Sequence, residues 1–444
     1  MREILRRTSE GPKGKRIRKK MPRSAPAPPA ASPRGTILAW TFFDFANTAF
    51  SVIIVTVIYS RYFTHHVAGG QRWLWGLAVS LSMIFAAALA PPLGAIADYS
   101  RNRKRFLLIF TFACVLATGL MFFVQDGMVA TGMLLFIVAN IGFEGGLVFY
   151  DAFLPDITSR NSYGRVSGYG FAMGYLGALA VLLIVHLLLP PASDPAYLLY
   201  IRLSFVVAAG FFLAFSLPLF LFVHEPPLDK ERPGDLFRTG ARRAVQTFRS
   251  LFILREYPSV ARFLIAFFIY NDGILTVIAF AAIFAEQTLR MDDAAIILFF
   301  AIVQTSAVAG SLAFGVITDK IGPKKTITVT LVLWTAIAIG AYFVNSVAVF
   351  YTVALAAGVA IGSSQSASRS LMALLTPRAR EAEFFGLYDG LCGKASAVIG
   401  PLVYGIVADL SNERVAALVI SLFFLTGLVV LQGVVEPPRT PDPA

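Results

Sequence analysis

The stretch "PPLGAIADYSRNRKR", residues 91–105, joins two unlike surfaces in one run. Its first part closes an apolar segment almost free of charge, and its second carries Asp98 followed by Arg101, Arg103, Lys104 and Arg105. A variant, "SLAFGVITDKIGPKKT", stands at residues 311–326. Aligned by position, Gly94, Asp98, Arg103 and Lys104 recur as Gly315, Asp319, Lys324 and Lys325, every pair 221 residues apart. An abrupt change from oil to cation suits a helix leaving hydrocarbon at a charged membrane face. Its return at a fixed offset suits a duplicated unit.

Composition agrees. Of 444 residues, 57% are hydrophobic and only 14% charged, with a mean hydropathy of +0.70. Water-soluble domains carry about 25% charged residues, so a large part of a soluble surface is missing. Cys114 and Cys392 lie far apart in apolar runs, and four histidines are scattered. They offer no disulfide framework and no metal-ligand spacing. Glycine-rich nucleotide loops, zinc-protease motifs and nucleophile elbows are absent, so no cofactor, metal or enzymatic reaction is expected. The net charge of +12 owes +9 to residues 1–36, a basic Pro/Ala-rich tail without the apolar region of a cleaved signal. A basic tail directly before an apolar span reads as a topology signal and a contact for anionic lipid, and not as a nucleic-acid site.

Crossing about 30 Å of hydrocarbon takes roughly 20 apolar residues. Twelve segments qualify: 36–63, 73–97, 105–124, 128–151, 163–188, 199–223, 260–286, 293–318, 325–344, 347–371, 384–408 and 414–434. With both termini cytoplasmic, the cytoplasmic loops and tails hold 31 Lys/Arg against five on the other side, the bias expected of an inside face. The expected fold is an all-α polytopic membrane protein of two pseudo-symmetric six-helix bundles. Residues 1–35 form a tail, 36–223 the first bundle, 224–259 a cytoplasmic linker, 260–435 the second bundle and 436–444 a short end. Within the linker, Phe237, Ala241, Ala244, Phe248 and Leu251 make an apolar stripe opposite Arg238, Arg242 and Arg249. Such a helix rests in the anionic headgroup plane or serves as a solvated connector.

A second echo supports duplication. "LPDITSRNSYGRVSGYG" from 154 and "LLTPRAREAEFFGLYDG" from 374 each join the fourth and fifth spans of a half, with Gly164 and Gly168 matching Gly386 and Gly390. Gly94 and Gly315 permit close helix approach. Asp98 and Asp319 can pair with cations or cap a neighbouring helix, closing the cytoplasmic mouth in one state and releasing it in another. Topology alone would need only the cations, so the repeated acid favours gating.

Twelve spans and G-x-x-x-D-x-x-G-x-[KR]-[KR] after spans two and eight resemble the major facilitator superfamily. The first copy departs from the pattern, with Arg101 where the turn glycine would sit. Within the superfamily, several stretches resemble the vacuole-effluxer group that includes autophagy-related protein 22. They are "AWTFFDFANTAFSVIIVTVIYSRYF" (39–63), "VFYDAFLPDI" (148–157), "GRVSGYGFAMGYLGA" (164–178), "FFIYNDGILTV" (267–277) and "EFFGLYDGLCGKASAVIGP" (383–401). Asp151 departs from the asparagine common there. The resemblance implies an alternating-access exporter of small solutes, amino acids in the vacuolar branch, in a bacterial plasma membrane or, in a eukaryote, a vacuolar one.

Intramembrane polar groups are costly and usually face protein, a cavity or a partner. Asp44 and Asn47 in span one, and Asn271 and Asp272 in span seven, lie on the spans that line the cavity in the resembled fold. Each is a pathway group or a fixed helix–helix contact. Glu144 can hold a proton when buried or anchor a salt bridge. Lys394 lies too deep to snorkel and requires an acid, with Asp272 or Asp44 the candidates, or an anionic substrate group. Together they outline a small-solute site in a single chain, with proton coupling open. The rival reading is a non-transporting receptor or scaffold whose linker carries the function.

Overall fold

The apolar segments become long helices, and no strand occurs among the described residues. The structure, a computed structural model, describes residues 34–191, 193–225, 236–291 and 293–438. The basic tail expected to touch lipid lies outside them. Span one is α1 (Arg34–Phe50), extended by wide π-helical turns at Ser51–Val57 and Phe63–Val67 around α2 (Tyr59–Tyr62). The first wide turn falls on "SVIIVTV", whose β-branched side chains crowd a regular α-helix. Then come α3 (Arg72–Ser100), α4 (Arg103–Leu120), α5 (Val129–Asp151) with a final turn α6 (Leu154–Ile157), α7 (Tyr163–Leu188) and α8 (Tyr197–Phe222). After the linker helix α9 (Leu236–Phe252) follow α10 (Pro258–Leu289), α11 (Asp293–Ile321), α12 (Pro323–Phe343) and α13 (Val347–Leu375). Leu108, Ile109, Phe112 and Leu134 point outward from α4 and α5, a surface that hydrocarbon accommodates and water does not.

Among the described residues eleven helices are long and apolar enough to cross a membrane. The single helix expected over 384–408 is instead broken. It runs as α14 (Glu381–Phe385), a π-helical stretch Gly386–Gly393, an interruption at Ser396–Val398, and α15 (Ile399–Leu410) before α16 (Glu413–Gln432). Gly386, Gly390, Gly393 and Gly400 weaken helix formation here, and backbone freed inside a membrane needs new partners. Span seven supplies them. Both carboxylate oxygens of Asp272 accept from the Gly400 N–H at 2.9 Å, and Asn271 Nδ2 donates to Ser396 Oγ at 2.6 Å.

The duplicated loops superimpose with a one-residue slip. Arg101 takes the left-handed conformation (φ 49) where Gly322 has φ 100, but Asn102 then adds a residue before α4 begins at Arg103, while α12 begins at Pro323. Lys104 therefore corresponds to Lys324, not to Lys325. Lys104 Nζ donates to Val223 O at 2.7 Å and Lys324 Nζ to Val434 O at 2.7 Å. Glu225 accepts from Arg103 N and Lys104 N at 2.9 and 3.1 Å, and Glu436 accepts from Lys324 N at 2.5 Å. Lys325 is exposed. Arg369, one of the 31 Lys/Arg assigned to the basic side although it lies at the end of the expected span 347–371, belongs to α13 and is 2% exposed.

The linker helix turns only part of its apolar stripe toward the protein. Gly240, Thr247 and Leu251 face the protein, whereas Phe248 of the expected apolar stripe is exposed; the side chain of Phe237 lies outside the described residues.

Two glycine seams join the halves. A Cβ on Gly94 would strike the Ala382 carbonyl, and one on Gly386 would come 2.7 Å from Ala90 O. On the other side, a Cβ on Gly164 would lie 2.5 Å from Gly315 O, and one on Gly315 2.9 Å from Gly164 O. Gly315 thus packs directly on the echo glycine Gly164, whereas Gly94 meets Ala382 and Gly386 meets Ala90 along the other seam. Gly94→Val should push this seam apart while leaving each bundle folded. Overpacking of about 1–3 kcal/mol corresponds to a roughly 5- to 150-fold shift toward an open mouth. The check is the labelling rate of Ser370→Cys, buried at the opposite seam against the Tyr163 carbonyl, by a membrane-impermeant maleimide.

Candidate functional site

At the basic face, each repeated acid crosses to the other half. Asp98 accepts from the Ala382 and Glu383 N–H groups at 3.1 and 2.8 Å, capping α14. Asp319 accepts from Gly164 N at 2.8 Å and Arg165 N at 3.3 Å, capping α7, and pairs with Arg165 Nε at 2.8 Å. A carboxylate is favoured at these helix N-termini, where unpaired N–H groups and the helix dipole converge. Arg103 is 1% exposed. Its guanidinium meets Asp156 at 2.5 Å, Glu225 at 3.5 Å, and Asp98 and Glu381 at 3.7 Å, and it donates to Ala152 O at 2.8 Å. Burial raises the Glu381 carboxyl above the ordinary carboxylate range, against the opposing pull of Arg103. These contacts join the two halves on this face.

Deeper in, Arg369 of α13 reaches into the first half. Nη1 donates to Asp151 Oδ1 at 2.8 Å and to Asp44 Oδ2 at 3.3 Å; Nε donates to Ser167 Oγ at 2.9 Å and Nη2 to Ser167 O at 2.8 Å. Tyr150 donates to Asp44 Oδ2 at 2.8 Å, and Asn47 Nδ2 to Asp44 Oδ1 at 3.4 Å. The guanidinium lies 4.9 Å from the Trp40 ring and 4.0 Å from Phe171, so cation–π contact adds to the ion pairs. α1, α5, α7 and α13 each contribute one wall.

A second cluster forms around Lys394, next to the break in span eleven. Its ammonium pairs with Glu144 of α5 and lies 3.3 Å from Asp389 Oδ2. The acid that Lys394 requires is therefore present, but it is neither Asp272, which caps the Gly400 N–H, nor Asp44, which serves Arg369. Tyr175 of α7 donates to Gln365 of α13 at 2.5 Å, a further polar bridge between the halves.

The six proposed pathway residues thus fall into three settings. Asp44 and Asn47 join Arg369; Glu144 and Lys394 pair; Asn271 and Asp272 pin the broken helix. Arg369 escaped sequence reasoning because it stands near a basic loop, although the apolar "LMALL" after it signals that the helix continues. Glu225 and Glu436 were missed as well. Their signal was the repeated Glu-Pro-Pro at 225–227 and 436–438. Among the described residues no group of three His, Cys, Asp or Glu is placed to hold a metal ion.

Two six-span halves meeting over buried cross-half ion pairs define a transporter of the major facilitator class. Solved structures share the fold. The human organic anion transporter MFSD10 has a TM-score of 0.73 at 16% identity, covering 90% of this chain and 100% of that one. A bacterial homologue of the iron transporter ferroportin, in an outward-facing state, has 0.71 at 13%, covering 90% and 99%. A family model described as "Vacuole effluxer Atg22 like" matches residues 75–439, and the chain belongs to that family. It is an integral membrane protein and not an enzyme. An uncharacterized MFS-type transporter of Bacillus subtilis, YxiO, is 29% identical over 90% of this chain and 95% of its own length. Autophagy-related protein 22 of Yarrowia lipolytica is 26% identical over 75% and 70%.

Removing Arg369 leaves Asp44 and Asp151 facing each other without a cation. Arg369→Gln should destabilise the protein by about 3–5 kcal/mol, the usual cost of breaking a buried pair. Adding Asp44→Asn and Asp151→Asn should recover much of the loss. Thermal unfolding in detergent, followed by the monodisperse fraction, checks both outcomes.

Proposed function

We propose that the protein moves a small zwitterionic solute of the amino-acid class by alternating access, with a proton as the coupling ion. One observation carries this reading: each buried cross-half cluster contains two carboxylates and one cation. Asp44 and Asp151 share Arg369, while Glu144 and Asp389 share Lys394. With every group ionised, each cluster holds one uncompensated negative charge, which is expensive in a low-dielectric interior. A proton or a substrate ammonium relieves it.

The Lys394 cluster suits the solute. Glu144 and Asp389 offer oxygens to an ammonium, and Lys394 offers its own ammonium to a carboxylate. The broken helix beside it, held by Asn271 and Asp272, is the kind of discontinuity that marks binding sites in transporters. The Asp44–Arg369–Asp151 cluster suits coupling. Opening the basic-face mouth draws Arg369 away from the first half, and a proton on either aspartate lowers the charge left behind. Asp98 and Asp319 serve as gate contacts that release the N-termini of α14 and α7 as the halves rock. The excess of loop cations supports a cytoplasmic basic face, and on that reading closure there corresponds to an outward-facing state. The family's effluxer description and the transport named for its relatives favour this reading over a scaffold.

Purified protein in sealed vesicles, screened against amino acids, sugars and organic anions with and without an imposed pH gradient, tests it. Saturable amino-acid flux that responds to the gradient is expected. Lys394→Met should lower that flux about 10- to 150-fold, as expected for the loss of a charged hydrogen bond of about 1.5–3 kcal/mol. Asp44→Asn should retain exchange but lose the response to pH. Folded protein that moves none of the panel, or Lys394→Met with unchanged flux, overturns the assignment.

A further inference from the structure

The linker helix α9 lies across the closed mouth and touches both halves. Its Gly240 sits against Ile96 and the Pro92 carbonyl of α3, and Arg243 lies over the Tyr99 ring at 4.1 Å. Four residues beyond Arg243, the buried Thr247 donates to Glu383 of α14 and receives a hydrogen bond from Arg380. Arg380 also pairs with Glu383 at 3.0 Å and donates to the Tyr257 hydroxyl, just before α10, at 3.3 Å. Asp98 of α3 caps α14 by binding Ala382 and Glu383 N–H, so α9 straps the same two elements that this gate contact joins.

The other side of α9 is built for a different neighbour. Arg238, Arg242 and Arg249 follow one another at four- and seven-residue steps and are exposed. Beside them Val245, Phe248, Ile253 and Leu254 are also exposed, at 69%, 47%, 67% and 53%. Cations interleaved with bulky apolar groups on one surface helix match an anionic headgroup plane, where the ring and aliphatic groups enter the acyl boundary. The helix connects α8 to α10 and packs on the last turns of α3, which puts this face at the level where spans leave the hydrocarbon.

We propose that α9 is a membrane-bound strap: its outer face binds anionic phospholipid headgroups, and its inner face, through Thr247, holds α3 and α14 together, so that anionic lipid favours the closed mouth. A ligand shifts an equilibrium only through different affinity for its two states. That difference arises because separating α3 from α14 breaks one of the two inner contacts and tilts α9 out of the headgroup plane. The effect on gating rests on the alternating-access reading above; the headgroup contact does not.

Two measurements keep these apart. In full-length protein reconstituted in phosphatidylcholine, with or without phosphatidylglycerol, Phe248→Trp should be quenched by brominated acyl chains, more strongly with the anionic lipid. Spin labels at Arg105 and Lys325, both exposed and in opposite halves, report the mouth in a background lacking Cys114 and Cys392. Added phosphatidylglycerol should shift the distance distribution toward its shorter population. Arg242→Glu with Arg249→Glu should abolish that shift while leaving the distribution in neutral lipid unchanged. Thr247→Ala should lengthen it in both lipids. Unquenched Phe248→Trp overturns the headgroup contact, as does cross-linking of Phe248→Cys between two copies without quenching. Quenching with a distance distribution indifferent to lipid charge, or unchanged by Thr247→Ala, overturns the strap.

Discussion

A guanidinium cannot stay in a dry, low-dielectric interior without anions around it, and Arg369 finds them only in the opposite half of the molecule. Asp151 and Asp44 belong to the first six spans, Arg369 to the tenth. The arrangement ties the two halves together at depth while making every change in their relative position an electrostatic event. Hydrocarbon supplies no competing ligand, so parting the halves would leave buried charges without partners. Lys394 and Glu144 repeat the principle one helix away. Contact of this kind is weak as a source of net stability but costly to break one partner at a time.

The contact between the halves at the basic face is built from a duplicated part used twice, once in each direction. Asp98 reaches from the first half to cap α14, and Asp319 reaches from the second to cap α7. Glycines at corresponding places let the backbones approach closely enough for those caps to form. Within each half a glutamate beyond the sixth span returns to cap the helix after the basic loop, so Glu225 and Glu436 stabilise the bundles that Asp98 and Asp319 connect. The symmetry fails at Arg103. It is buried among four acids, whereas α12 has Pro323 at the corresponding position and Arg165, the partner of Asp319, is largely exposed. One seam is therefore held by a buried charge network and the other by a solvated pair.

Span eleven concentrates several of these features. Its N-terminus is capped by Asp98 of the other half, its π-helical stretch carries Asp389, and Lys394 precedes the interruption. The next helical piece begins with an N–H taken by Asp272. A regular helix would have satisfied its own backbone and pointed Lys394 at a fixed angle. The break instead makes the position of Lys394 depend on side chains of α10, and so couples a deep cation to the neighbouring span.

The sequence by itself determined the class of molecule. Spans of the right length, the near absence of charge within them, the offset of 221 residues and the recurring Asp98 and Asp319 were all visible as local properties of the chain. Even the demand of Lys394 for an acid followed from its depth. Only the tertiary structure decided which acid answers it, that Asp272 caps a broken helix, and that Arg369 is a core residue and not a loop cation. Only there does α9 show Thr247 inward and Phe248 outward. Hydropathy and spacing act along a helix and leave a legible pattern. Pairing between groups 218 or 325 residues apart is set by how helices cross and rotate, and that angle is written in no single stretch of sequence.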